Sequence, residues 1–166
     1  MFRKIDDFIS DWAYESEGTV NLFKHISNNE LNKKDHENVR TIARLAWHIT
    51  ITLSEMMNKA GLLVTGPDEH SKPPTDIKEI IAAYESSAKS VTEQVTKQWT
   101  DASLLEEKNL YGENWKNGVT LSILIKHQAH HRGQLTVIMR QYGMLVPGVY
   151  GPSKEDWAKF NMPTAD

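Results

Sequence analysis

An all-α fold, arranged as a four-helix bundle, is expected from the spacing of apolar residues along this chain. In four long segments, apolar side chains recur every three or four residues, which places them on one face of an α-helix. No segment convincingly shows the alternation of apolar and polar residues that is typical of a half-buried strand. A chain of 166 residues fits one domain and can bury a substantial core. We therefore predict a single bundle domain over residues 1–166.

The first two helices are predicted over residues 2–27 and 38–60. Both contain apolar residues at the helical period, so each should present one apolar face to the bundle. The inward positions of the first helix are Phe2, Ile5, Phe8, Ile9, Trp12, Thr19, Leu22, Phe23 and Ile26. Those of the second helix are Val39, Ile42, Leu45, Ile49, Leu53 and Met56.

The last two helices are predicted over residues 76–98 and 119–142. Thr75 is expected to cap the third helix, because a threonine hydroxyl can accept a hydrogen bond from a free backbone N–H. The segment between these two helices is expected to be irregular and to end in a turn at Asn117-Gly118.

The links between the helices are long. Residues 61–75 contain two glycines and three prolines, which marks them as a loop, and the link to the fourth helix is of similar length. Antiparallel neighbours in a bundle are joined by much shorter links, of roughly 2–8 residues. At least one link is therefore expected to cross the bundle instead of forming a hairpin.

Composition excludes several classes of protein. A net charge of −3 gives no electrostatic reason to expect a nucleic acid or an anionic membrane as partner. No stretch approaches the roughly 18–20 consecutive apolar residues of a membrane span. Acidic residues interrupt the N-terminal segment where a signal peptide would be apolar, so we expect a cytoplasmic protein. The partner that we expect is a small-molecule substrate.

The chain contains no cysteine but has seven histidines. The lack of cysteine removes disulfides, thiolate metal ligands and a cysteine nucleophile together. Any metal site must therefore use imidazole and oxygen ligands.

Three of the histidines are candidates for one metal site. His127 and His131 are four residues apart, so they lie on the same face of the fourth helix. His48 lies on the apolar face of the second helix and can supply a third nitrogen. His130 lies off this face and is expected at the rim or in solvent. The spacing alone leaves two interpretations open: a metal site, or hydrogen-bonded histidines in the core.

Two known types of metal site can be compared directly with the sequence. The HExxH pattern of zinc proteases and the ExxH pairs of di-iron bundles are both missing. A site with three histidines leaves coordination positions for water or substrate, which is typical of catalytic sites.

The role of Glu55 is open. It is either a hydrogen-bond acceptor for a ligating imidazole, a distant general base or an ordinary solvated glutamate, and the sequence favours the last. Arg132 and Arg140 are expected at the surface or in a dimer contact.

Three segments together resemble the DinB-like (DinB/YfiT) superfamily. They are LAWHI around His48, HQAHHRGQLTVIMRQYG from His127, and GVYGPSKEDW in the tail. The resemblance implies a bundle with up-down-down-up order, a divalent metal, zinc or nickel, held by His48, His127 and His131, and a homodimer. His130 corresponds to no ligand.

The resemblance also implies a choice of activities. The characterised members of the superfamily are metal-dependent enzymes that use low-molecular-weight thiols such as bacillithiol or mycothiol, and many other members have no assigned reaction. A metal-dependent hydrolase or thiol S-transferase is therefore the first hypothesis. The alternatives are a non-catalytic metal- or ligand-binding protein and, least supported, a binding protein associated with DNA damage.

Overall fold

The computed structural model describes residues 1–160 and residue 163. Its four long helices are α1 (Ile5–Phe23), α2 (Ile42–Lys59), α3 (Ile77–Gln98) and α4 (Asn117–Gln141). Two short strands, β1 (Glu107–Leu110) and β2 (Glu113–Lys116), form an antiparallel hairpin, and a short helix α5 (Lys154–Trp157) lies in the tail. Short 3₁₀ segments occupy Asn28–Glu30, Ala102–Leu105 and Ala158–Phe160. The predicted all-α four-helix bundle is confirmed.

The four helices form a ring in which α1 and α2 each pack against both α3 and α4. Helices α1 and α4 run in the same direction. Near their N-termini, Phe2 N donates to Gly118 O over 3.0 Å, and further along both helices Glu15 meets Arg132. The first and last helices of the bundle are therefore parallel neighbours.

The two middle helices run in the opposite direction. Helix α3 opposes α1, because Ile5 N donates to Asp101 Oδ1 at one end and Ile77 N donates to Asn28 Oδ1 at the other, each over 2.8 Å. Helix α2 opposes α4, because Gln141 at the C-terminus of α4 donates to Asp35 Oδ2, ahead of α2, over 3.0 Å. At the other end Tyr111, ahead of α4, donates to Glu55 Oε2 in the C-terminal half of α2 over 2.8 Å. This gives the up-down-down-up order.

The link between α2 and α3 must return along the bundle, because these two helices are parallel neighbours. It is held by a pair of hydrogen bonds between Asn58 and Val64 and by a third from Thr65 N to Ser90 Oγ, over 2.9 Å. Gly66 passes so close to Ser54 that an added Cβ would overlap that serine side chain. The predicted crossover is therefore present, and it packs along α2 and α3.

The core is built from the apolar faces of all four helices and includes large aromatic side chains. Phe8 and Trp12 stack with ring centroids 6.0 Å apart, and Phe23 meets Tyr84 edge-on at 5.6 Å. The Trp12 indole N–H donates to Ala88 O over 3.1 Å, so its polar atom is satisfied in the core.

Several local predictions are wrong. The segment between α3 and α4 contains the β1–β2 hairpin instead of being irregular throughout. Asn117 and Gly118 begin α4 and are buried, because Asn117 donates to Ser103 O and Gly118 packs against the backbone of Phe2. Asp76, and not Thr75, caps α3 by accepting a hydrogen bond from Lys78 N.

The arginine in the middle of α4 is also not where we predicted it. Arg132 is only 2% exposed and forms an ion pair with Glu15 of α1, which is 8% exposed. Tyr150 in the tail donates to the same carboxylate, over 2.7 Å to Oε2. Arg140 lies nearer the surface and pairs with Glu155 of α5 over 2.7 Å. The ordered tail is thus attached to α4 through both arginines.

No helix in the part of the chain that the structure describes is long and apolar enough to cross a membrane.

Candidate metal centre

The three predicted histidines lie together between α2 and α4. His48 Nε2 and His127 Nε2 each lie 3.1 Å from His131 Nε2. One ligand atom from each of the three residues falls within 4.8 Å of the others. The i, i+4 spacing in α4 presents two of the rings on one helix face, and the antiparallel packing of α2 brings the third opposite them.

The spacing of these nitrogens fits a first-row divalent metal. With metal–nitrogen distances of about 2.0–2.1 Å, two ligands lie about 2.9 Å apart at a right angle and about 3.3 Å apart at the tetrahedral angle. The separations of 3.1 Å fall between these values. The donor set of three neutral imidazoles also suits zinc, nickel and related ions.

A hydrogen-bond relay fixes the orientation of His131. Gln134 Nε2 donates to His130 Nε2 over 3.2 Å, so its amide oxygen faces His131 Nδ1, 2.8 Å away. That contact places the proton on Nδ1 and leaves a single lone pair on Nε2. One lone pair can accept from one neighbouring imidazole but not fully from two, whereas a cation accepts the lone pairs of all three rings. The geometry therefore fits metal binding better than hydrogen bonding alone.

All three imidazoles are biased towards the neutral form that binds a metal. Burial, followed by the charges of neighbours that include His131 and Arg40, lowers the pKa of His48 to about 3. Burial, followed by His131 and His130, lowers the pKa of His127 to about 4. Burial also lowers the pKa of His131, although its hydrogen bond with Gln134 opposes this shift. Near neutral pH the rings thus keep lone pairs for a cation.

One nitrogen of the site is left without a partner. His127 Nδ1 is buried and has no hydrogen-bond partner among residues 1–160. Ligating histidines usually donate their other N–H to a carboxylate, a carbonyl or a water. His131 has such a partner in Gln134.

Two clefts reach the three histidines from different sides. A cleft of about 500 Å³, here called the hairpin cleft, includes His48 and His127 together with Arg44, Glu55, Tyr111 and Trp115. A second cleft of about 510 Å³, here called the polar cleft, includes His131, Arg40, Gln134 and Gln141. No fourth histidine or carboxylate joins the three nitrogens in the described part of the chain. A bound metal would therefore have positions open to small molecules.

The hairpin cleft takes its name from the β1–β2 turn, which holds Tyr111 against α2. Tyr111 Oη donates to Glu55 Oε2 over 2.8 Å, and Lys59 Nζ donates to Glu55 Oε1 over 2.6 Å. Burial and this carboxylate raise the pKa of Tyr111. The Trp115 ring lies 5.7 Å from that of Tyr111. Glu55 is therefore a half-buried part of the cleft wall and not the solvated glutamate that the sequence favoured.

The remaining histidines lie outside the three-histidine cluster. His25 and His36 are exposed, and each forms a hydrogen bond with nearby backbone, at Asn21 O and Asn38 N. His70 is exposed at the edge of the hairpin cleft. His130 is exposed next to His131, as predicted, but it is connected to the cluster through Gln134.

Sequence reasoning missed two residues of the site, Gln134 and Tyr111. Gln134 could have been found, because it lies three residues after His131 on the same helix and can therefore reach its ring. Tyr111 had no such signal, since its position depends on a hairpin that was not predicted.

Comparison with known proteins gives consistent results. The DinB family pattern matches residues 1–165. The uncharacterized protein YrdA of Bacillus subtilis strain 168 is 36% identical over 162 residues, which are 98% of this chain and 97% of YrdA. The uncharacterized protein YjoA of the same organism is 21% identical over 140 residues.

Solved structures agree with this assignment. A DinB-like protein from Bacillus cereus ATCC 10987 matches with a TM-score of 0.86 and 34% identity, over 90% of this chain and 100% of that one. The DinB-like YjoA of Bacillus subtilis matches with a TM-score of 0.67 and 21% identity, over 86% of this chain and 97% of its own, and supports the fold alone. The chain belongs to the DinB family.

Proposed function

We propose that this protein binds one divalent transition metal, zinc or nickel, through the Nε2 atoms of His48, His127 and His131, and that it is a metal-dependent enzyme. The convergence of the three nitrogens, 3.1 Å apart in two of the pairs, carries this proposal. The two clefts support catalysis over a purely structural site, because small molecules can reach the donors from outside. A structural metal site is usually closed by four protein ligands.

When bound, the metal supplies a Lewis acid that lowers the pKa of a coordinating thiol or water into the neutral range. The protein supplies the environment. Burial keeps the three imidazoles neutral, and Gln134 holds His131 in the tautomer that presents Nε2. Tyr111 and Lys59 hold the carboxylate of Glu55 in the wall of the hairpin cleft.

The reaction that we propose is transfer of a low-molecular-weight thiol to an electrophile. The chain has no cysteine, so a thiol nucleophile must come from a bound small molecule. In this reaction the thiol loses its proton to solvent and its sulfur forms a bond to an electrophilic carbon. The leaving group then departs with the bonding electrons. The resemblance to thiol-dependent members of the superfamily supports this class, and hydrolysis with water as nucleophile is the alternative reaction at the same site.

Metal content is the first test. Protein purified without chelator should contain about one transition metal ion per chain, as measured by inductively coupled plasma mass spectrometry. Replacement of His48, His127 or His131 with Ala should sharply lower this content. His130→Ala is the matched control, since it removes an imidazole from the same helix but outside the cluster. Equal metal loss in the His130→Ala and His131→Ala variants would contradict the site.

Catalysis is tested separately with a fluorogenic electrophile such as monochlorobimane, offered with bacillithiol, mycothiol, coenzyme A or glutathione. Turnover should require the metal and should be lost in the His48→Ala variant. A metal-loaded protein that accelerates none of these reactions, nor the hydrolysis of simple esters and amides, would indicate a non-catalytic binding protein.

We also propose that the protein is a homodimer, as the resemblance implies. Exposed apolar residues on the tail and on α4, such as Leu145 and Val137, offer surface for such a contact. Sedimentation at micromolar concentration should give about twice the 18.9 kDa of one chain. A single 18.9 kDa species would contradict this proposal.

A further inference from the structure

The hairpin cleft contains an arginine, Arg44, that has no ion-pair partner among residues 1–160. Arg44 lies in the first turn of α2, four residues before His48, and so occupies the same helix face one turn away. It is half-buried. Arg132 and Arg140 form ion pairs with Glu15 and Glu155, whereas Arg44 forms none within residues 1–160.

The acidic residues of the cleft are already engaged at its other end. Glu55 accepts hydrogen bonds from Lys59 and Tyr111, and Glu69 lies near Lys59 and His70. Glu55 is eleven residues beyond Arg44, which corresponds to about 16 Å along the axis of α2. His48 lies between these two residues on α2, and the His127 ring is 5.1 Å from that of His48. The cleft therefore has a free guanidinium group on one side of the donors and neutralised carboxylates on the other.

The rest of the cleft wall favours a charge–charge contact with Arg44. Ile51, Met56, Ile123 and Trp115 make much of the cleft apolar. Water is scarcer against such a wall, so a charge–charge contact is screened less than on an open surface. Three neutral imidazoles add no negative charge, and a divalent cation bound to them would add two further positive charges.

We infer that the hairpin cleft binds an organic anion, with Arg44 holding a carboxylate of the ligand while the ligand's other end reaches the three-histidine centre. A guanidinium group recognises a carboxylate through two parallel N–H donors, which sets orientation as well as affinity. This inference rests on the proposed metal-dependent function and adds to it the charge of the substrate and the residue that recognises it.

The test uses the full chain loaded with cobalt(II), whose visible absorption reports ligands that enter the metal site. It is titrated with 3-mercaptopropionate and 6-mercaptohexanoate, each compared with its uncharged primary amide, and the affinities are measured by calorimetry. The two thiols differ in chain length, so they place the carboxylate at two different distances from a sulfur that enters the metal site. For at least one length, the carboxylate should bind about tenfold more tightly than the amide, as expected for a charge-assisted hydrogen bond.

Two arginine variants make the test specific to the cleft. Arg44→Gln should remove the preference for the carboxylate. Arg40→Gln is the matched control, because it removes the same charge near the histidines but from the polar cleft, and it should keep most of the preference. Arg44→Lys should retain part of it, since charge remains without the paired donors.

The outcomes separate the two proposals. If carboxylate and amide change the cobalt spectrum with equal affinity, or if Arg40→Gln removes the preference as fully as Arg44→Gln, the inference about Arg44 is overturned and the proposed function stands. If cobalt does not bind, or if none of the thiols changes its spectrum, the proposed function fails and the inference fails with it.

Discussion

Arg132 of α4 donates a hydrogen bond to the backbone carbonyl oxygen of Glu15 in α1 over 2.6 Å, and the two side chains form a buried ion pair. Thr19 Oγ1 accepts a further hydrogen bond from the guanidinium group over 2.9 Å. The Tyr150 hydroxyl completes the set, and burial followed by its bond to Glu15 raises the pKa of this tyrosine to about 12. Each charge is removed from water and depends on its partners for compensation.

Removal of one partner should therefore be costly. We expect Arg132→Met to lower the free energy of unfolding by about 3–5 kcal/mol, because it leaves Glu15 buried and unpaired. Arg140→Met should cost less than about 1 kcal/mol, since its ion pair with Glu155 lies nearer the surface. Urea unfolding followed by circular dichroism measures both. Similar small losses in the two variants would show that the buried pair does not carry this energy.

Two glycines of α4 should respond in opposite ways to alanine. A Cβ at Gly118 would overlap the carbonyl oxygen of Phe2, so Gly118→Ala should destabilise the protein by about 1–3 kcal/mol. A Cβ at Gly133 meets nothing within 4 Å, so Gly133→Ala should stabilise the helix by about 0.5–1 kcal/mol. Thermal unfolding of the metal-free protein tests both. A stabilising Gly118→Ala would contradict the close contact with the N-terminal segment.

The metal-free protein should lose stability in acid because of its histidines. His48 and His127 have pKa values lowered from 6.5 to about 3 and about 4, so the unfolded chain binds protons that the folded chain does not. Their contribution is fully present above pH 6.5 and is lost as the pH falls towards these lower values. The free energy of unfolding should therefore decrease over this range. In the His48→Ala variant the decrease should be smaller, and an unchanged slope would contradict the lowered pKa.

The relay through Gln134 should tune metal affinity. Gln134→Leu removes the acceptor of His131 Nδ1–H and should weaken metal binding by about 10–100-fold, the usual effect of losing a group that orients a ligand. Gln98→Leu, on the exposed end of α3, is the control and should leave the affinity unchanged. Competition with a chelating dye measures both. Equal affinities in the two variants would show that the amide does not orient His131.

The clustering of the three histidines was predictable from helix geometry, whereas their role as metal ligands was expected mainly from the resemblance and stays a prediction. Two residues four apart in α4 must share a face, and His48 falls on the apolar face of α2. The up-down-down-up order required the resemblance to a known family, since long links indicate a crossover without saying which helices become neighbours.

The hairpin could not be predicted because its strands have no apolar alternation. Glu107, Lys108 and Asn109 are all exposed, and only Leu110 of β1 is buried. Its turn uses Tyr111 and Gly112, both with positive φ, at 55° and 87°. A Tyr-Gly pair lacks the usual Asn-Gly or Asp-Gly signal of such a turn.

The burial of Arg132 could have been predicted from the position of Glu15 in the first helix. Glu15 lies three residues after Trp12 and four before Thr19, both of which were assigned to the inward face of α1. An acid on an apolar face needs a buried cation, and the structure supplies one from α4.

The β1–β2 hairpin packs on the bundle core through Leu110 and Trp115, but Tyr111 at its tip lies outside that core. The histidines lie on long helices whose packing fixes the fold, whereas the Tyr111 side chain is about half exposed at the turn between β1 and β2. Mutations at that tip change the shape and chemistry of the cleft without removing core contacts. Substitutions at Tyr111 can therefore alter which small molecule fits the hairpin cleft while the three histidines stay unchanged, so the histidines alone are a poor guide to the ligand.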